Sequence, residues 1–184
     1  MARSDPYLRA SFSLQNRGLR AVWGLTYLLL FFPSPRPFHT WRAFLLRLFG
    51  ARLGPKCRIY PRATIWAPWN LVCADAVVVA NGAIIYNPAI VEIGSHAVIS
   101  QQAYVCGATH DLDTPGFRLI SDRIKIGRYA WLCARSTLQM GIIVGDGAVL
   151  GLGAVATRNL DPWTIYAGIP AKAIRSRKQF DAQA

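Results

Sequence analysis

The chain is 184 residues long and 53% apolar by residue type, with 21 Lys and Arg against nine Asp and Glu for a formal charge of +12. This suits one domain with a real hydrophobic core, and it draws phosphates, acidic lipids or nucleic acid without choosing among them. The cysteines, Cys57, Cys73, Cys106 and Cys133, are too scattered for a dense disulfide framework or a paired zinc motif, which fits packing roles in a reducing compartment.

Charge is spread unevenly: residues 1–62 carry eleven bases and one acid, 63–124 two and five, 125–184 eight and three. Residues 1–14 read as a loose arm. A helix is predicted over 15–32, followed by a stiff Pro-Ser-Pro-Arg-Pro connector at 33–37. A second helix is predicted over 39–49, where Trp41, Phe44, Leu45, Leu48 and Phe49 form an apolar stripe bordered by Arg42 and Arg47, with Gly50 to end it. The apolar run 21–32 is only twelve residues, too short to cross a bilayer. A long leading segment with no Ala-x-Ala site before Arg36 speaks against a cleaved signal peptide, so a retained, cytoplasmic N-terminus is expected. Two readings of this region stand side by side. The helices cap an exposed solenoid end or pack on another subunit, or residues 15–52 lie on an acidic membrane surface, peripheral to the inner membrane.

From about Cys57 a period of six sets in. Ile59 and Ile65 open it; Cys73, Val79 and Ile85 resume it two residues late, after Trp66, Pro68 and Trp69. A second two-residue slip near Asn87-Pro88 precedes Ile93, Ile99 and Val105. Over 126–159 the rule runs unbroken through Ile126, Leu132, Leu138, Val144, Leu150 and Ala156, with Ala130, Ser136, Ile142, Ala148 and Ala154 four positions after the first five. Six matches neither helix nor plain strand alternation; it matches short strands joined by tight corners and stacked as a β-helix. The expected organisation is a basic, apolar helical region (1–55), the β-helix (56–161) and a basic C-terminal tail (162–184).

Between Gly107 and Ile124 the period vanishes in a polar, turn-rich stretch, an excursion over 107–124. Loops held on a rigid scaffold are where binding and catalysis concentrate. His110 lies in this loop, and imidazole is the side chain best matched to taking a proton near neutral pH. Asp111 or Asp113 is available to fix its tautomer. His39 and His96 read as structural. The three histidines have no ligand-like spacing, so no metal is expected. Trp131 precedes an inward Leu132 and should face outward, as an interface or as a wall for a ligand. Arg135, Arg158, Lys172 and Arg175 are a solvated basic face or a phosphate grip. No nucleic-acid recognition motif accompanies the charge, and no such partner is expected.

Ile99-Ser100-Gln101-Gln102-Ala103-Tyr104, Thr109-His110-Asp111, Trp131, Val144-Gly145-Asp146-Gly147-Ala148 and Tyr166-Ala167-Gly168-Ile169-Pro170-Ala171-Lys172 resemble the hexapeptide-repeat acetyltransferases, most nearly the O-acetyltransferases of colanic acid biosynthesis. The resemblance covers about residues 17–177. It implies an all-β, left-handed parallel β-helix with N-terminal helices, a homotrimer with sites between subunits, and acetyl-CoA as donor. By resemblance His110 is the general base, Asn87 helps to hold the acceptor, and Trp131 lies near the pantetheine arm. Ala134 stands where related sugar acetyltransferases often carry serine: if the backbone N–H is what stabilises the oxyanion, alanine still supplies it, whereas a role for the hydroxyl would be lost. Gly153, Ala154 and Arg158 follow the expected cofactor track, and Lys172 and Arg175 approach the nucleotide phosphates. The function implied is acetyl transfer to a sugar hydroxyl, on a surface polysaccharide or its lipid-linked oligosaccharide precursor. The alternatives are transfer to an amine or a serine hydroxyl, and a non-catalytic solenoid on acidic membranes.

Overall fold

The computed structural model describes residues 11–114 and 116–179; most of the expected loose arm lies outside them. Helix α1 (Leu14–Thr26) starts where the Ser13 hydroxyl accepts the Asn16 N–H at 3.2 Å, an N-cap. It runs into a π-helical turn, Tyr27–Phe31. After the proline connector, α2 spans His39–Leu48. Both helices match the sequence expectation to within a residue or two, apart from the π turn.

The solenoid follows in coils of three strands. The first is β1 (Arg52–Leu53), β2 (Arg58–Ile59) and β3 (Thr64–Ile65); the second is β4 (Leu71–Cys73), β5 (Val78–Val79) and β6 (Ile84–Tyr86); the third is β7 (Val91–Ile93), β8 (Val98–Ile99) and β9 (Tyr104–Cys106). The excursion then forms an antiparallel hairpin of β10 (Ala108–His110) and β11 (Leu119–Ser121). Coils four and five are β12 (Ile124–Ile126), β13 (Trp131–Leu132), β14 (Thr137–Leu138) and β15 (Ile143–Val144), β16 (Val149–Leu150), β17 (Val155–Ala156). Equivalent strands stack in parallel into three sheets, β1-β4-β7-β12-β15, β2-β5-β8-β13-β16 and β3-β6-β9-β14-β17, the three faces of a prism.

The six-residue rule has a direct meaning here. Ile59, Val79, Ile99, Leu132 and Leu150 lie in register down one face, and Ile65, Ile85, Val105, Leu138 and Ala156 down another. All ten are at most 2% exposed, and each large aliphatic side chain so buried stabilises the fold by roughly 1.5–3 kcal/mol. The small residues four positions on, such as Ala97, Ala130 and Ala148, are buried inside the corners. The second residue of most corners has positive φ, including His96 (61°), Gln102 (60°) and Arg135 (59°). Gly127 shows why some corners tolerate nothing larger, since a Cβ there would sit 2.6 Å from the Asp146 amide nitrogen of the next coil.

Two boundaries differ from the sequence reading. The solenoid starts at β1, ahead of Cys57, because Arg52 and Leu53 pair with Val72 and Cys73; Leu53 lies six residues before Ile59 and carries the hexad phase one slot further back. The C-terminal segment is not an irregular tail: β18 (Thr164–Ala167) continues the β16 stack and β19 (Lys172–Ser176) folds back antiparallel to it. Pro162, Gly168 and Pro170 lie at the ends of these strands and in the turn between them.

The helices cap the first coil. Its outward carbonyls have no coil to pair with, and the helices supply donors: Trp23 Nε1 to Ile65 O at 2.8 Å, and Arg42 Nε to Ile59 O at 2.6 Å. Trp23, Phe31, Leu45 and Leu46 complete the seal, each at most 4% exposed. This blunts an edge that would otherwise recruit another strand. The opposite surface of the same helices remains apolar and exposed, including Leu25, Leu28, Leu29, Trp41, Phe44 and Leu48. No helix among the described residues is long and apolar enough to cross a membrane.

Candidate active site

The excursion leaves the prism at the edge between the β9 and β12 faces, at Gly107, whose N–H donates to Tyr86 O at 2.7 Å. A Cβ at Gly107 would lie 2.7 Å from that oxygen and 3.4 Å from Asn87 Cα, so glycine lets the hairpin root against the coil below. His110 ends β10, opposite Leu119. Its Nδ1 is 2.7 Å from the Phe117 carbonyl oxygen, and the two rings stack at 4.2 Å and 8°. A carbonyl only accepts, so Nδ1 carries the proton and the neutral ring keeps its lone pair on Nε2. That is the tautomer a base needs.

Neither nearby aspartate orients the ring. Asp111 spends its carboxylate inside the loop, accepting the Asp113 N–H at 3.1 Å and the Thr114 hydroxyl at 2.9 Å, an Asx-type turn that shapes the hairpin tip. The orienting group is a backbone carbonyl at Phe117, where φ is 45°. Sequence reasoning missed it, since a main-chain oxygen has no residue signature.

Trp131 faces outward as expected, 44% exposed, with Nε1 donating to Ser100 Oγ at 2.8 Å. It lies on the β13 face, between Val98 and Val149 of the coils on either side. Ala134 and Arg135 form the next corner. Together with Gln101, Gln102, Leu152 and Gly153 they line an open groove of about 570 Å³. The Ala134 N–H makes no hydrogen bond within the described residues, whereas the Arg135 N–H is spent on Gln101 O at 3.0 Å. Gly153, at φ 66°, has open space where a Cβ would stand. Arg135 holds Gln102 Oε1 through Nε at 2.8 Å. Arg158 is exposed; Lys172 and Arg175 are exposed on β19.

Two residues sit differently from the expectation. Asn87 is 0% exposed, with its amide clamped on the coil below: Oδ1 accepts the Ala67 N–H at 2.9 Å and Nδ2 donates to Ala67 O at 2.8 Å. Burial leaves that side chain no surface on which to hold an acceptor. Ala154 is 1% exposed, its methyl inside the prism and its N–H bonded to Gly151 O at 3.1 Å, so no side-chain contact with a ligand is open to it.

Burial pushes the Cys73 thiol well up, and does the same less strongly to Cys57 and Cys133. All four cysteines are free. Burial, with a hydrogen bond to Cys106, raises Tyr104 to about 12. Among the described residues no three His, Cys, Asp or Glu side chains cluster as metal ligands would.

No protein-family model matches the chain. A sequence relative that is itself an acetyltransferase is 35% identical over 156 residues, covering 85% of this chain and 86% of its own length. A hexapeptide-repeat acetyltransferase from Vibrio cholerae, solved with acetyl coenzyme A, superposes with a TM-score of 0.82 at 22% identity, over 92% of this chain and 93% of its own. A galactoside acetyltransferase in complex with coenzyme A gives 0.83 at 20% identity, over 92% and 86%. The chain therefore belongs to the hexapeptide-repeat acetyltransferases, and its solenoid is the left-handed parallel β-helix of that family. The sequence relative is WcaF of Escherichia coli (strain K12), a colanic acid biosynthesis acetyltransferase.

Proposed function

We propose that the protein moves an acetyl group from acetyl-CoA to a hydroxyl of a sugar in surface or exopolysaccharide biosynthesis, with His110 as general base. The observation that carries this reading is the Phe117 carbonyl 2.7 Å from His110 Nδ1, which leaves Nε2 as the free lone pair on an accessible loop. His110 Nε2 takes the hydroxyl proton as the oxygen attacks the thioester carbonyl carbon. The uncommitted Ala134 N–H receives the developing oxyanion, a job that needs no serine hydroxyl. When the intermediate collapses the C–S bond breaks, and His110 returns the proton to the departing sulfur. Base catalysis of this kind contributes roughly 100- to 10,000-fold, and holding both substrates together adds more.

The groove at Ala134 and Gly153, with Trp131 beside it, suits a pantetheine arm; Arg158, Lys172 and Arg175 suit the nucleotide phosphates. His110 departs from one edge of the prism, while Trp131 lies on the face that this edge does not border. A site using both is most simply completed across a subunit boundary, which favours a homotrimer. WcaF supports the polysaccharide setting. The exposed apolar face of the N-terminal helices, in a stretch whose residues 11–62 hold no acid, favours peripheral contact with acidic lipid from the cytoplasmic side.

The test is to incubate the protein with acetyl-CoA and candidate oligosaccharides, following thiol release and product mass. His110→Ala should keep acetyl-CoA binding and lose at least 100-fold in transfer. Near wild-type turnover by that variant removes His110 as the base.

A further inference from the structure

We propose that Arg20, Trp66 and Tyr86 form an acceptor subsite that grips an anionic group, a carboxylate or a phosphate, on the glycan being acetylated. This rests on the sugar acetyl-transfer reading above and names the class of sugar that fits it. Trp66 and Tyr86 occupy the outward positions just past β3 and at the end of β6, and Tyr86 is in register with Cys106. They stand in one column on the edge from which the hairpin of His110 departs. The column runs from the root of that hairpin down to helix α1. At about 4.8 Å per coil it spans about 10 Å, room for a saccharide whose hydroxyl is presented to the loop.

The surface is chemically unusual. The Trp66 and Tyr86 rings meet edge-on at 5.4 Å and 85°, leaving both half-buried. Arg20 reaches from α1 to lie with its Cζ 4.4 Å from the Trp66 ring centroid and 5.0 Å from that of Phe12. Its Nε is held by Asn16 Oδ1 at 3.1 Å. The guanidinium is thus fixed by stacking and by one hydrogen bond, with no ion pair: those found among the described residues are Arg123–Glu92 and Arg128–Asp146. Residues 11–62 contain no acid at all. A stacked guanidinium keeps its in-plane N–H donors for a planar or tetrahedral anion, and its fork geometry matches carboxylate or phosphate oxygens. The column therefore joins a fixed guanidinium with no ion pair at its α1 end to the root of the His110 hairpin at the other.

Three matched acceptors decide it: a neutral oligosaccharide, one bearing a uronic acid, and one bearing a phosphate. Wild-type kcat/KM for one or both anionic acceptors should exceed that for the neutral one by about tenfold or more. Arg20→Gln should erase that advantage through KM with kcat held, and Arg20→Lys should restore only part of it. The carboxylate and phosphate arms tell a uronic acid from a sugar phosphate. Binding of the same three glycans, followed by tryptophan fluorescence and compared with Trp66→Phe, gives a readout independent of turnover. Equal use and equal binding of neutral and charged glycans, unchanged in Arg20→Gln, overturn the subsite while leaving acetyl transfer standing. Arg20-dependent binding of anionic glycans without any acetylation keeps the subsite and overturns the transfer reading. A thermal unfolding midpoint for Arg20→Gln equal to wild type excludes a folding artefact; if it falls, the binding preference of the wild-type protein decides alone.

Discussion

Phe117 holds His110 twice, by its carbonyl oxygen 2.7 Å from Nδ1 and by its ring stacked at 4.2 Å. The first contact sets the tautomer and the second sets the ring plane, and they are separable by mutation. Phe117→Ala keeps the carbonyl and loses the stack. We expect kcat to fall about 10- to 100-fold through looser positioning, with KM for acetyl-CoA unchanged. Steady-state kinetics check this; an unaltered kcat would mean the carbonyl alone suffices.

Asn87 gives an opposite kind of prediction. Its side chain pairs both the N–H and the C=O of buried Ala67. Asn87→Ala strands these two groups, at a cost of about 2–4 kcal/mol in unfolding free energy. Chemical denaturation should show the loss. Full stability together with failed acceptor binding would instead return Asn87 to the site.

Arg42 tests the cap. The guanidinium is fully buried and donates to Ile59 O, Ser34 Oγ, Pro35 O and Arg36 O at 2.6–2.8 Å. Burial lowers its pKa, yet no carboxylate is needed, because carbonyl dipoles surround the charge. Lysine has no planar fork to reach these acceptors together, so Arg42→Lys should cost about 2–4 kcal/mol. Protease cleavage in residues 27–39 should accelerate as the helices undock. Unchanged stability and cleavage would show that apolar packing alone holds the cap.

Acid sensitivity follows from Asp146. Burial raises this carboxyl, but the hydrogen bonds and charge of Arg128, with help from Lys125, outweigh it and set the group below its ordinary value. A depressed carboxyl contributes stability above its unfolded pKa and loses it as pH falls through the folded one. Wild type should therefore lose stability relative to Asp146→Asn as pH drops below about 4. Parallel pH dependence of the two unfolding midpoints would show that the pair contributes nothing.

The hexads at Ile126, Leu132, Leu138, Val144 and Leu150 determined the solenoid from sequence alone, because only a side chain that recurs on every face of a stacked coil must be apolar at that interval. The broken period marked the loop of His110 for the same reason. The two helices were equally legible, since amphipathic spacing and proline punctuation act locally. What only the tertiary structure decided are the partners. Asn87 and Ala67 meet across a coil, the Phe117 carbonyl reaches His110 across a hairpin, and Arg20 lies on Trp66 from a separate helix. Strand β1 extends the same rule one slot back, since Leu53 lies six residues before Ile59, but only its pairing with Cys73 shows that the solenoid starts there. Periodicity records which way a side chain must point; it carries no record of what that side chain finds there.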